Sequence, residues 1–313
     1  MIRNALYMFF PFKNNTKKEI DIILKNLIAQ EKLDEIYYIN NIKIYGNREI
    51  NYPNIFGENI NYKKFFILCE ERAGSSFLIN LLQSHPNIVC YQELFSEDKC
   101  YFHYPFFPEE TNQEMLSIRN NMPGEFLKSV IYRKYLPDFK AVGFKMAYNQ
   151  TQNKNTKPAW KLLLKDKDVC VLHLIRNNYL NSLISLKTTI ISGIYTIYNT
   201  SDRYVTDEEK QKKSLQEQTI NSIKFELDFE ETKNYFIKTE KNILRYRHTI
   251  RKHPSLEIIY ENITTDPVTE SNKILSFLGI EKRILTNTTI KLNKRKAIDI
   301  ITNYSELKRL FSD

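Results

Sequence analysis

The stretch FFILCEERAGSSFLINLLQSHPNIVCYQELF, residues 65–95, decides how the rest of the chain is read. FFILC (65–69) is a short apolar run with the length and composition of a buried strand, and NIVCY (87–91) is a second. Between them a turn around Gly74 leads into SSFLINLLQS, apolar at helical spacing and ending before His85-Pro86. A turn that opens a helix directly after a buried strand is an anion cradle: backbone N–H groups and the helix N-terminus face the ligand, and the dipole favours negative charge. Ser75 and Ser76 add hydroxyl donors there, and Arg72 adds a planar cation suited to phosphate or sulfate oxygens.

Outward from this stretch the same alternation continues. AVGFKMAY (141–148), VCVLHLI (169–175) and LEIIY (256–260) read as strands. A polar, charged helix is expected after Asn178, a long one over 228–252 capped by Asp228, and another over PVTESNKILSFLGI (267–280), closed by Gly279. Strands alternating with helices predict an α/β fold in three layers, a central mostly parallel sheet flanked by helices. Ligands of such sheets sit at the carboxyl ends of the strands. Apolar spacing over 16–34 predicts a further helix after Thr16, whereas 37–62 gives no clear pattern. The division expected is an N-terminal helical or irregular appendage, 1–62, packed on a main domain, 63–313. The polar stretch 199–218 reads as a mobile loop or insertion.

Composition narrows the class. The chain has 313 residues, 42% of them hydrophobic, and a formal net charge of +9, which suits an anionic partner. The charge is spread evenly and forms no stripe, so no nucleic-acid partner is expected. Cys69, Cys90, Cys100 and Cys170 show no CxxC pair and no metal-ligand spacing, so the expectation is a cytoplasmic protein without a metal. No run reaches the roughly 18 apolar residues of a membrane span. The opening MIRNALYMFFPFKNN is read as a docking segment, at most a peripheral membrane contact.

A nucleotide triphosphatase needs G-x-x-x-x-G-K-[ST], and none of the seven glycines is followed by lysine. The dinucleotide fingerprint G-x-G-x-x-G fails as well. RAGSSFLINLLQSHPNIVCYQE instead resembles the 5′-phosphosulfate loop of carbohydrate sulfotransferases, Arg-Ser-Gly-Ser-Ser/Thr-Phe-Leu followed by a helix, His-Pro and a downstream Glu. The resemblance implies a P-loop-like fold and 3′-phosphoadenosine 5′-phosphosulfate (PAPS) as co-substrate. It implies that Arg72, Ala73, Gly74, Ser75, Ser76 and Phe77 hold the 5′-phosphosulfate, Phe77 through its backbone. Ala73 departs from the family's usual Ser or Thr and loses a side-chain donor.

PAPS also carries a 3′-phosphate. VCVLHLIRNNYLNSLISLK resembles the family's 3′-phosphate motif, in which an Arg ends a strand and a Ser follows eight or nine residues later. Arg176 and Ser185 fit that spacing, and Ser182 is the alternative if the helix starts differently. IIYENITTDPVTESNKILSFLGI resembles the Tyr-Glu-Asp-Leu strand end of the bacterial branch, with Asn262 for Asp, and is read as scaffold. TIKLNKRKAIDIITNYSELKRLF resembles the branch's closing segment: Lys291, Lys294 and Arg295 either close over the nucleotide or form a solvated basic face. The resemblance covers residues 63–313.

The function implied is in-line, metal-independent transfer of a sulfuryl group to a hydroxyl of a carbohydrate or glycolipid acceptor. Arg72 is expected to stabilise the leaving group. Glu93, in YQELF, is expected to be the general base, or else to pair with Arg72 and order the loop. His173 is a core residue or a rival base, and His85 caps a helix end. Lys145 and Gln150 are expected to line the acceptor cleft, and Trp160 either stacks on a sugar or packs in the core. The competing readings are a kinase-like phosphotransferase with a degenerate loop and a non-catalytic module binding PAPS or glycan. Oligomeric state is open.

Overall fold

The structure, a computed structural model, describes residues 42–45, 48–51, 56–97, 100, 113–198 and 207–311. The helix expected over 16–34 lies outside them. Five strands build the central sheet: β1 (Lys63–Cys69), β2 (Ile88–Glu93), β3 (Ala141–Ala147), β4 (Cys170–Ile175) and β5 (Ser255–Ile259). Their order is β2-β3-β1-β4-β5 and every pairing is parallel. All five match apolar runs in the sequence. Such near-continuous apolar strands are what a sheet covered on both faces requires.

Alternation of side chains along the strands splits the interior in two. Phe65, Ile67 and Cys69 of β1 pack with Leu172 and Leu174 of β4 under the helices α1 (Ser75–Gln83) and, further along the chain, Pro267–Leu278. Phe66 and Leu68 point the other way, to a second core with Tyr91, Phe144 and Met146. That face is covered by α2 (Gln113–Asn121), the π-helical turn Phe126–Ile131, α3 (Lys157–Lys165) and the long helix Phe229–Ile250. Trp160 lies in this core, edge-on to Phe66 and Tyr246, and packing accounts for it. All four cysteines are buried.

α4 (Tyr179–Ser192) follows β4, with the Asn178 side chain accepting from the Asn181 N–H at 2.9 Å as its N-cap. Contrary to the expectation of a charged helix, Lys187 is its only charged residue, and it buries Leu183, Ile184, Thr188 and Thr189. Residues 199–206 of the stretch read as a loop lie outside the described residues, and 207–218 differ from that reading: α5 spans Asp207–Ser222. DEEKQKKSLQEQTINS has no apolar stripe to announce a helix, yet most of its residues are strong helix formers. Two of its last carbonyls, on Ile220 and Asn221, and that of Ile223 just beyond its end accept hydrogen bonds of 2.9 Å from the Arg295 guanidinium. α6 (Phe229–Ile250) is capped by Asp228, as expected. α7 (Tyr260–Thr265) and α8 (Pro267–Leu278) follow β5, and α9 (Tyr304–Leu310) comes last.

Ahead of the sheet, the strands Ile42–Tyr45 and Arg48–Asn51 pair as an antiparallel ribbon. Asn59 bridges to Tyr135 and donates to the Phe139 carbonyl at 3.2 Å, and the Tyr62 hydroxyl donates to the Arg133 carbonyl at 2.7 Å. The residues immediately before β1 are thereby stitched to the segment that precedes β3. No helix among the described residues is long and apolar enough to cross a membrane.

Candidate functional site

β1 lies at the centre of the sheet. The chain leaves it towards β2 on one side, and leaves its neighbour β4 towards β5 on the other. A crevice opens at the carboxyl ends where connections diverge in this way. The two segments singled out in the sequence, 70–77 and 176–185, meet there.

The loop after β1 is built by backbone geometry. Arg72 has φ +60° and Gly74 φ +94°, and Arg72 is the only non-glycine with positive φ among the described residues. The chain reverses sharply there and starts α1 at Ser75, with Gly74 as N-cap and no side-chain cap. Phe77 and Leu78 N–H groups bond to the Gly74 carbonyl, at 3.1 and 3.3 Å, whereas the first N–H groups of a helix have no intrahelical acceptor. Ser75 is buried, and the Ser76 hydroxyl lies 3.3 Å from that of Thr196.

Arg72 reaches away from the loop towards α4. Its Nε donates to the Ser185 hydroxyl and its Nη2 to the Tyr195 carbonyl, both at 3.0 Å. Ser185 is therefore the serine of α4 that bonds to Arg72. Ser182 turns inward, with its hydroxyl donating to the Asn178 carbonyl at 3.4 Å. Arg176, one residue past β4, donates from Nη1 to the Arg72 carbonyl at 3.0 Å. Its Cζ sits 4.8 Å from the centre of the Tyr260 ring, and its Nε is buried without an acceptor among the described residues. Burial lowers both arginines from their ordinary value; for Arg72 the charge of Arg176 adds to this while Glu93 opposes it. Two poorly solvated cations side by side make a place where an anion is welcome.

The end of β2 meets β3 on the other side of β1. Lys145, buried on β3, makes an ion pair with one oxygen of Glu93. The Gln150 side-chain N–H donates to the other oxygen at 2.7 Å, while the Gln150 side-chain Oε1 accepts from the Ala147 N–H at 3.0 Å. Burial alone would push the Glu93 carboxyl up; Lys145, Gln150 and Arg72 outweigh it and hold the group below the ordinary carboxylate value. Lys145 is likewise disfavoured by burial but held above its ordinary value by Glu93. Glu93 thus meets Lys145 and Gln150 as hydrogen-bonding partners and senses Arg72 only through its charge. The Glu93 side chain is 32% exposed, so the carboxylate remains reachable from the cleft. Gln150 is 5% exposed and faces Glu93, which leaves it little surface for an acceptor.

The remaining candidates separate cleanly. His173 is buried on β4, its Nε2 at 2.5 Å from the Tyr148 hydroxyl, and burial lowers it to about 4 against the pull of Glu257. His85 ties the end of α1 to the Glu281 carbonyl at 3.0 Å and accepts from the Asn87 N–H at 3.1 Å. Arg295 caps α5, as described. Lys291 and Lys294 are exposed; Lys291 directly follows Thr289–Ile290, a short strand paired with Ile197–Tyr198. Sequence reasoning passed over Tyr195, Thr196, Tyr260 and Asn287. The Asn287 side chain donates to the Phe77 carbonyl at 2.8 Å and so binds the closing segment to α1. Of these, only Tyr260 had a signal, its place at the end of a strand.

No protein-family model matches this chain, and no curated protein matches it. Among solved structures it is similar to mouse sulfotransferase SULT7A1 complexed with PAP, at 12% identity over 82% of this chain and 66% of that one, with a TM-score of 0.33. A sulfotransferase from Alicyclobacillus acidocaldarius is similar at 16% identity, over 80% of this chain and 91% of its own, with a TM-score of 0.35. Sulfotransferase STF9 from Mycobacterium avium is similar at 12% identity, over 87% of this chain and 75% of its own, with a TM-score of 0.32. These three neighbours are sulfotransferases.

Proposed function

We propose that the protein is a sulfotransferase that moves a sulfuryl group from PAPS to a hydroxyl of a carbohydrate or glycolipid acceptor. The observation that carries this reading is the pair of desolvated arginines, Arg72 and Arg176, at the ends of adjacent central strands around the start of α1. They are joined to each other and to Ser185, and Arg176 Nε has no acceptor. A nucleotide with one phosphate cluster needs only the loop. Two cationic groups from two strands suit a nucleotide with anionic groups at both the 5′ and 3′ positions.

In this proposal the loop 72–77 binds the 5′-phosphosulfate through Arg72, the N–H groups of the first turn of α1 and the two serines. Arg176 and Ser185 bind the 3′-phosphate. The acceptor oxygen attacks sulfur in line as the bond from sulfur to the bridging 5′-phosphate oxygen breaks, and that oxygen keeps the electron pair. Positioning and charge stabilisation do most of the work in a transfer of this kind. Arg72 stabilises the departing 3′,5′-bisphosphate, and the acceptor proton goes to Glu93. A carboxylate held below its ordinary value is a weak base but is ionised throughout the neutral range, with Lys145 and Gln150 fixing its orientation. Lys291, beside the strand Ile197–Tyr198, remains a proposed nucleotide contact. The Arg295 side chain reaches the nucleotide only by giving up its contacts with α5.

Calorimetric titration with 3′,5′-adenosine bisphosphate, 5′-AMP and Mg-ATP tests the reading. Micromolar binding of the bisphosphate, with AMP at least tenfold weaker (about 1.4 kcal/mol), is expected. Equal binding of all three, or none, refutes it.

A further inference from the structure

We infer that Tyr260 and Glu261, where β5 ends, are positioning residues that hold the two halves of the anion site together and so set its preference for a ligand with two anionic groups over a ligand with one. This rests on the function proposed above.

β5 is hydrogen-bonded to β4 and has no ladder with β1, so no sheet pairing ties its end to the loop 72–77. Side chains make the tie instead. The Tyr260 ring lies against Gly74 so closely that a Cβ there would stand 2.1 Å from its Cδ2. The same ring carries the Arg176 guanidinium 4.8 Å from its centre, and meets Phe77 of α1 edge-on at 6.3 Å. One aromatic ring thus touches the phosphate loop, the helix that follows it and the arginine of the other half. A guanidinium with a buried Nε and one main-chain acceptor depends on such a face for its placement.

The next residue holds the same half from below. The two Glu261 carboxylate oxygens accept from the Asn177 N–H at 3.1 Å and the Asn178 N–H at 3.0 Å. Asn178 caps α4, the helix that brings Ser185 to Arg72. Tyr260 therefore fixes Arg176 against the loop, and Glu261 fixes the start of the helix bearing Ser185. Without the ring, Arg176 loses its support, while Arg72, the serines and the start of α1 remain for a singly anionic ligand. The loss falls selectively on the ligand that needs both halves.

The test compares dissociation constants of 3′,5′-adenosine bisphosphate and 5′-AMP for the full chain and for Tyr260→Leu, Tyr260→Phe and Glu261→Gln, with thermal melts in parallel. Tyr260→Phe keeps the ring and is expected to keep the wild-type ratio. Tyr260→Leu is expected to bring the ratio below threefold through weaker bisphosphate binding, with AMP changed less than threefold. Glu261→Gln is expected to cut the ratio at least threefold. A folded Tyr260→Leu protein with the wild-type ratio overturns the inference; if that variant does not fold, an unchanged ratio in Glu261→Gln does so. A wild-type protein that does not discriminate at all removes the proposed function and this inference together, and that result appears before any substitution is made.

Discussion

Replacing Gly74 with alanine changes one hydrogen to a methyl group, and the structure makes that change expensive twice over. The backbone at 74 has φ +94°, a conformation that costs a residue with a Cβ about 1–2 kcal/mol. The new carbon would also stand 2.1 and 2.2 Å from two carbons of the Tyr260 ring, where carbons pack at about 3.5–4.0 Å. The ring cannot retreat freely, because Arg176 covers it and Phe77 meets it edge-on. Forced overpacking of this kind costs about 1–3 kcal/mol, so the total destabilisation expected is about 2–5 kcal/mol. Urea unfolding of Gly74→Ala, Tyr260→Ala and the double variant measures it. With the ring gone, alanine at 74 is left with the backbone penalty alone, so the cycle is expected to show a coupling of about 1–3 kcal/mol. Additivity within about 0.5 kcal/mol, or a Gly74→Ala protein as stable as the wild type, refutes the argument that the ring and the loop are in contact.

Glu93→Gln is expected to keep bisphosphate affinity while turnover falls by about 10²–10⁴-fold. Because the Glu93 carboxyl is held below its unfolded value, its ion pair contributes stability above the ordinary carboxylate range and loses it as pH falls through the folded value; the variant should lack that acid-side loss in pH-dependent melts. His173 carries the same sign for another reason. Burial lowers it to about 4, so the unfolded chain takes up a proton first, and stability is expected to fall as pH drops from about 6.5 towards about 4. His173→Gln should flatten that window and keep turnover at neutral pH; loss of turnover in a folded variant would make His173 the base.

The inner strands were legible because burial on both faces leaves little polar alternation, and apolar runs such as FFILC and VCVLHLI stand out; the edge strand β5, with Ser255 and Glu257 exposed, was read from LEIIY. The sharp turn after β1 and the helix it opens were legible through Gly74. What escaped was of two kinds. α5 escaped because a helix polar on every side has no periodic signal, and the guanidinium that caps it comes from Arg295, far along the chain. The partners of Glu93 escaped because strand order, not sequence, sets β2 beside β3. The ladder pairs Glu93 with Lys145, which no spacing within either segment reveals. The choice between Ser182 and Ser185 was likewise open, since both lie one turn apart on one helix. Only the direction from which Arg72 approaches α4 shows that Ser185 is the one it bonds. Tyr260 was read as scaffold, and its contact with Gly74 is invisible until β5 is placed next to β4.

The strand order has a consequence for how the protein is made. β1 and the loop that follows it are the first part of the sheet to leave the ribosome, yet β1 pairs with β3 and β4, and the residues that brace its loop, Arg176 and Tyr260, come much later. Contacts between residues so distant in sequence form slowly, because the intervening chain must first be gathered in. Throughout synthesis of the middle of the protein the loop therefore lacks half of its donors and has nothing to hold Gly74 in its unusual conformation. A nascent chain halted before β5 would have the loop unbraced even though every residue of the loop was already present. On the proposed function, nucleotide added during translation would favour chains that have completed the sheet, acting late in folding as well as in the reaction.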